Sequence, residues 1–366
     1  MDRRRFSLRR FQMSDVGRIV ELFAQVFQGE FSPEWWRAKY LLNPAGFRGE
    51  EGDVWVAEAE NGSVVGHWGV LPEKLKLGSQ TVEVAQAVDA ATDPNFRGLG
   101  IFKTLVKNVC SDGGKRYKFI YGYPNELYRG YEKLGWNSHR ITEYLQFVNY
   151  DGAMKNYFGN EVVFGISKIG MKTLRSLSLL GVALHSGRVK GLQSEVEEAE
   201  DFPDDINDFW RLSRVEHKVV LERNLDFLHW RFSKNLGSYR VFIARSNETG
   251  RLVGYMVTKK TTIRSIPDVL DIVDMHTLPQ ESRTWMSFIE FAVREAKKEG
   301  LNIVRCRMPS WNKYADFLRK LRFVPVGTIL ELAGLYQPRL ITYSSAQQET
   351  VDLTRWFYTL ADTDFA

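Results

Sequence analysis

The stretch DAATDPNFRGLGIF, residues 89–102, decides how this chain is read. Upstream of it, Thr81–Thr92 has the pattern of a long strand. Downstream, Gly98–Cys110 has the pattern of a helix, with Ile101, Leu105 and Val109 on one stripe. Between the two, Pro94 turns the chain and Arg97-Gly98-Leu99-Gly100 bridges strand to helix. The first N–H groups of a helix have no partner inside it, and the helix dipole is positive at that end. A turn of this kind is therefore a ready anion site. Glycine lets backbone come close to a phosphate because no Cβ stands in the way. The other reading of the same residues is a tight turn that binds nothing. Two familiar phosphate loops are excluded. The dinucleotide pattern G-x-G-x-x-G would need glycine at Lys103, and the triphosphate loop needs a Gly-Lys-Ser/Thr that the sequence lacks.

The flanks are mixed α/β. Arg5–Arg10 alternates like a strand, and Asp15 can cap a helix carrying Val16, Ile19, Val20, Leu22, Phe23 and Val26. Ser32-Pro33-Glu34 opens a second helix that Asn43-Pro44 stops. Strands follow at Val54–Ala59 and Val64–Val70, joined by a turn at Asn61-Gly62. Beyond the opening stretch come a strand at Phe119–Tyr123, a helix at Glu126–Lys133 and a strand at Ile141–Val148. Residues 151–200 break this pattern and read as a packed connector. Met171–Leu180 could be helical there, and Glu195–Glu200 is acidic and exposed.

Composition narrows the class. A chain of 366 residues is too long for one core, and 44% hydrophobic with 26% charged is the make-up of a folded protein. The net charge of +5 is a small excess of 50 basic over 45 acidic residues. The arginines at 3, 4, 5, 9 and 10 read as a solvated basic edge, and nucleic acid is not an expected partner. Cys110 and Cys306 read as buried free thiols, with neither zinc spacing nor a disulfide framework. The six histidines show no ligand spacing, so no metal is expected. The most apolar tract, Ser176–Ala183, is far shorter than the roughly 20 residues a membrane span needs. Nothing resembles a secretory signal, and the expected location is the cytoplasm.

The pattern then repeats. Asp89-Ala-Ala-Thr92-Asp-Pro94 corresponds to Asp274-Met-His-Thr277-Leu-Pro279, and Pro124 to Pro309, each at a shift of 185. Trp36-Arg37 near Asn43 resembles Trp230-Arg231 near Asn235, and Val65-Gly66 resembles Val253-Gly254. A constant shift over this span argues for two domains of one fold. The expected division is 1–150, a connector at 151–200, a second domain at 201–345, and a tail at 346–366 that ends frayed or reaches the acceptor.

Two signatures in the first domain resemble the GNAT superfamily of N-acetyltransferases. One is Pro94-Asn-Phe-Arg97-Gly-Leu-Gly100-Ile-Phe102, matching Arg/Gln-x-x-Gly-x-Gly/Ala except for Phe102, where the pattern asks for a small residue. The other is Asn125 followed by Tyr131-Glu-Lys-Leu-Gly-Trp136. The resemblance covers about residues 5–148 and implies a mixed α/β fold in two tandem GNAT-like domains, with acetyl-CoA as acyl donor. It implies that Ala90, Ala91 and Thr92 pair with the pantetheine arm, and that N–H groups from Gly98 through Leu99, Gly100 and Ile101 to Phe102 hold the pyrophosphate, beside Arg97 and Asn125. A strand N–H near Thr92 would stabilise the oxyanion. Tyr131, with Tyr128 one turn earlier as the back-up, is where the family often places the acid for the leaving thiolate.

The base is open. Asp89 is a candidate, yet Asp274 holds the same place in the second half, which favours a structural role. Glu126 is weaker, and His67 either faces the acceptor or packs. The second half acts as an internal control. Arg97-Gly-Leu-Gly100 becomes Ser282-Arg-Thr-Trp285, and Tyr131-Glu-Lys-Leu-Gly-Trp136 becomes Leu318-Arg-Lys-Leu-Arg-Phe323. That half is expected to keep the core and bind no cofactor, and to keep the turn without the glycines. The function expected is transfer of an acetyl or other acyl group to a small-molecule amine. Rival readings are a non-catalytic descendant that binds CoA or a partner, and an aminoacyl transferase acting from tRNA. The last predicts binding that weakens steeply with salt.

Overall fold

The computed structural model describes residues 5–124, 127–149, 194–263, 266–312, 314–325, 338–344, 352 and 355–363. It contains two mixed sheets. The first takes β1 (Phe6–Arg10), β2 (Val54–Ala59), β3 (Val64–Leu77), β4 (Gln80–Thr92), β5 (Ile120–Gly122) and β6 (Asn137–Arg140). Its helices are α1 (Val16–Phe27), α2 (Pro33–Tyr40), α3 (Ile101–Gly113) and the short α4 (Tyr128–Glu132). Local chemistry sets their ends. The Ser32 side chain accepts from the N–H of Trp35, with Pro33 in the first turn of α2. β1 lies at the edge of the sheet, and Arg9 is bonded to Asp15 and Glu58.

The second sheet takes β7 (Thr142–Phe147), β8 (Ser194–Ala199), β10 (Tyr239–Ser246), β11 (Leu252–Ile263), β12 (Ile266–Thr277), β13 (Ile303–Met308) and β14 (Val324–Pro325). Its helices are α5 (Ile206–Ser213), α7 (Ser282–Lys298) and α8 (Ala315–Lys320). The acidic run at 195–200 is therefore largely the edge strand β8, paired with β10, where Arg240 bonds Glu198.

The sheets are not built from contiguous halves. The order in the first is β1-β2-β3-β4-β5-β15-β6, where β15 (Arg339–Tyr343) comes from the far end of the chain. The order in the second is β14-β7-β13-β12-β11-β10-β8, so β7 leaves the half of the sequence that precedes it. β9 (Val219–Leu221) joins β3, and α6 (Leu225–Arg231) follows it, with the Trp230 indole donating to the carbonyls of Ala38 and Lys39. The two compact units are accordingly Met1–Arg140 with Lys218–Gly237 and Pro338–Trp356, and Ile141–His217 with Ser238–Gln337 and Phe357–Ala366. The contiguous ranges expected from the sequence differ from these units. A strand's side-chain pattern is the same whichever sheet it enters.

Each unit has the same long hairpin, β3–β4 in one and β11–β12 in the other, followed by a helix and a parallel strand. Both hairpins carry a β-bulge in the second strand near Asp89 and Asp274: Asp89 lies within the bulge of β4, and in β12 Val273 is the extra residue beside Asp274. Cys110 and Cys306 are both buried and free. Among the described residues no helix is long and apolar enough to cross a membrane, and no cluster of His, Cys, Asp and Glu could hold a metal. The helix expected at Met171–Leu180 lies outside the described residues.

Candidate active site

The bulge in β4 changes which way its backbone points. Before it, the N–H of Ala85 donates to Phe119 O, so Ala85 and Ala87 face β5. After it, the N–H of Asp93 donates to Val65 O, so by alternation Ala91 faces β3. Ala90 and Thr92 therefore turn their N–H and C=O groups to the β5 side. There β5 pairs with β4 only over Ala85–Ala87. The sheet splits beyond that point, leaving one strand edge of β4 ready to pair with an extended ligand.

At the end of this edge the chain makes the Arg97–Gly100 turn. Gly98 and Gly100 have φ of +80° and +82°, a conformation costing an L-residue about 1–2 kcal/mol. A Cβ on either would meet nothing within 4 Å, so the two glycines leave open space in front of the helix. The first helical bond at this end runs from Thr104 N–H to Gly100 O. The N–H groups of Gly98 to Lys103 make no hydrogen bond among the described residues, and Arg97 is exposed with no ion pair there. These are donors, a dipole and a cation in the arrangement an anionic ligand needs. The residues present fit a pyrophosphate.

Tyr131 lies against the same turn. The Phe102 ring meets it edge to face with centroids 5.1 Å apart. Phe102, the departure from the family pattern, is thus turned onto Tyr131. Trp136 and Trp68 complete an aromatic wall, and the Trp68 indole donates to the Tyr131 oxygen at 2.7 Å. That bond holds the phenol in one orientation and would stabilise the phenolate left when the proton is given away. Tyr128 is half-buried, with the Arg339 guanidinium over its ring at 4.4 Å and Arg129 Nε donating to its oxygen. Asn125 and Glu126 lie outside the described residues.

Asp89 is placed differently from a free base. Lys39 Nζ lies 2.9 Å from one carboxylate oxygen and the Tyr40 hydroxyl donates to the other at 2.5 Å. Its carbonyl lies 2.8 Å from His67 Nδ1. His67 is packed rather than facing a cleft. It is buried beneath Phe23, and burial pushes its pKa below the ordinary value, so it stays neutral. Lys39, Tyr40 and Trp68 were not singled out as site residues from the sequence. The signal available was a lysine and a tyrosine ending an otherwise apolar helix face, at Trp36, Lys39 and Tyr40.

The second unit fills the equivalent space. Ser282–Trp285, opposite Arg97–Gly100, are the first turn of α7. The turn is absent there, which corrects the expectation that it persists without glycine. Trp285 is buried and stacks on Tyr314 at 4.9 Å. The tail is not frayed over its described residues. Phe357, Tyr358, Leu360 and Ala361 are buried, Thr359 donates to Asp274, and the turn at Leu360–Asp362 packs on both β12 and β13.

Comparison with known proteins agrees with this layout. Residues 7–138 match the family model of an acetyltransferase (GNAT) domain. A search of curated proteins by sequence finds no match. Among solved structures, a probable N-acyltransferase from Enterococcus faecalis is similar at TM-score 0.61 and 12% identity, over 92% of this chain and 72% of that one. A GCN5-related N-acetyltransferase from Anabaena variabilis matches at 0.61 and 13%, over 92% and 72%. The N-myristoyltransferase of Saccharomyces cerevisiae with bound myristoyl-CoA matches at 0.59 and 10%, over 98% and 84%. The chain has two tandem GNAT-like folds, and the match to the acetyltransferase (GNAT) domain model lies in its residues 7–138.

Proposed function

We propose that this chain, through its GNAT-type segment at residues 7–138, transfers an acetyl group from acetyl-CoA to the primary amine of a small molecule, in the cytoplasm. The observation that carries this reading is the run of outward N–H groups from Gly98 to Lys103 beside the split in the sheet. Those N–H groups, with Arg97, would hold the pyrophosphate. Ala90 and Thr92 would pair with the pantetheine amides as an added strand does. The bound thioester supplies an activated carbonyl and a thiolate leaving group.

The remaining steps belong to this chain's side chains and backbone. A neutral amine attacks the carbonyl directly. Negative charge developing on the carbonyl oxygen is met by a fixed N–H of the split edge, near Thr92. Tyr131 gives its phenolic proton to the departing sulfur, with Trp68 bonded to the oxygen left behind. Asp89, already bonded on both oxygens, holds its strand, so the proton lost by the amine leaves through water or a group outside the described residues.

Thiol release from acetyl-CoA, measured across a panel of amino sugars, amino acids and polyamines, tests the proposal. Amine-dependent release is expected. Absence of both acetyl-CoA binding and thiol release would overturn it.

A further inference from the structure

Asp89 combines two features whose combination the second unit does not repeat. Its φ is +51°, a left-handed value that a non-glycine residue adopts at a cost and that persists only where surroundings enforce it. Its side chain and carbonyl are gripped from one face of the sheet by Lys39, Tyr40 and His67. The Lys39 and Asp89 side chains are 7% and 10% exposed, so this ion pair is formed away from water. Asp274 stands beside the bulge of β12, held by the Tyr255 and Thr359 hydroxyls, and its φ is not left-handed. Asp89 lies inside its bulge, unpaired in the ladder, whereas Asp274 is paired with Val257 and the extra residue there is Val273; of the two corresponding aspartates only Asp89 is left-handed.

The strained residue sits where the strand reverses the direction of its backbone groups. With Asp89 left-handed, Ala90 and Thr92 face the split. The grip on Asp89 is on the α1–α2 face, through His67, whereas the next residue of β3, Trp68, reaches Tyr131 on the opposite face. The site is thus fixed from both faces of one sheet.

The geometry points to Lys39, Tyr40 and His67 as positioning residues that latch the Asp89 bulge and so align the strand edge at Ala90 and Thr92 with the pantetheine arm and the thioester carbonyl at its end. This rests on the acyl-transfer reading above. None of the three touches the reacting atoms. Their effect is on alignment of the thioester, so loss should lower kcat far more than affinity for acetyl-CoA, because the pyrophosphate contacts at the Arg97–Gly100 turn stay in place.

The test compares His67→Phe with His67→Asn. Phenylalanine keeps a ring against Phe23 but loses the donor to Asp89. Asparagine returns an N–H close to the place of Nδ1. Tyr40→Phe, which keeps the stack on Trp36, serves as the second site. Thiol release from acetyl-CoA is followed with the best amine of the panel, and binding of acetyl-CoA is measured by calorimetry on the same folded samples. His67→Phe and Tyr40→Phe are expected to lose roughly tenfold or more in kcat with affinity within about twofold of wild type. His67→Asn should recover most of the rate. Wild-type kcat in His67→Phe and Tyr40→Phe would overturn the latch and leave acyl transfer standing. So would a rate loss that only tracks the melting temperature, or failure of His67→Asn to recover rate. A wild-type protein that neither binds acetyl-CoA nor releases thiol would overturn both.

Discussion

Gly100 and Trp285 occupy corresponding places in two copies of one fold, and each shows what the other is for. At Gly100 the chain is left-handed and a Cβ would touch nothing. At Trp285 the chain is helical and the side chain is buried in a stack with Tyr314 and Phe317. The splits in the two sheets differ in the same sense. In the second unit the turn at Leu360–Asp362 packs on both strands of the split, and Thr359 bonds the bulge aspartate. A fold that needs this space filled fills it from its own chain. Where the first unit leaves donors and open space, a bound ligand is the reason we propose.

The comparison can be broken at several points. Trp285→Ala should have the largest effect on stability, about 3–5 kcal/mol, read as a lower denaturation midpoint. Its affinity for acetyl-CoA, measured where the protein remains folded, should not change. A loss of affinity there would place ligand contacts in the wrong unit. Tyr131→Phe should lower kcat by about 100-fold with little change in acetyl-CoA affinity. Leu318, its counterpart, is fully buried in an apolar setting, so Leu318→Met should leave kcat unaltered.

Smaller differences sharpen the same contrast. The helix ends at Gly135 and Arg322 are alike, with φ of +86° and +68° and matching bonds from Trp136 and Phe323 N–H to Tyr131 and Leu318 O. Glycine at that position serves the helix end and not the ligand. Arg322→Gly should therefore stabilise the protein by about 1 kcal/mol, seen as a higher melting temperature. His67 contributes in the acid range. Its folded pKa is depressed by burial, so the unfolded chain binds the proton more readily. Stability from keeping it neutral is present above its unfolded pKa, near 6.5, and is lost as pH falls below it. Wild type should lose more melting temperature than His67→Asn between about pH 7 and pH 5.

Much of this was legible in the residues themselves. The Arg97–Gly100 turn, the α3 stripe and the repeated hairpin, helix and parallel strand follow from local geometry and spacing, and the structure carries all three. What was not legible depends on partners far along the chain. Thr142–Phe147 reads as a strand either way, and nothing in its own side chains tells which sheet receives it. Asp89 reads as facing one side of β4, but Lys39 lies 50 residues away on a helix, so the grip on its carboxylate could not be inferred. The same holds for Trp68 and Tyr131, brought together by a sheet and a short helix 63 residues apart. The loss of the turn in the second half was misread for a different reason. Alignment shows that glycines are gone, but not that the helix has grown back over their place.

The central claim is that the glycine turn exists for acyl-CoA, and calorimetry of acetyl-CoA with wild type and Gly100→Trp tests it most directly. Gly100→Trp puts the second unit's residue into the first unit's open space. The account predicts that wild type binds and that the variant, still folded, binds about a hundredfold more weakly, roughly 2.7 kcal/mol. Equal affinity in the two proteins, or no binding by wild type, would contradict it.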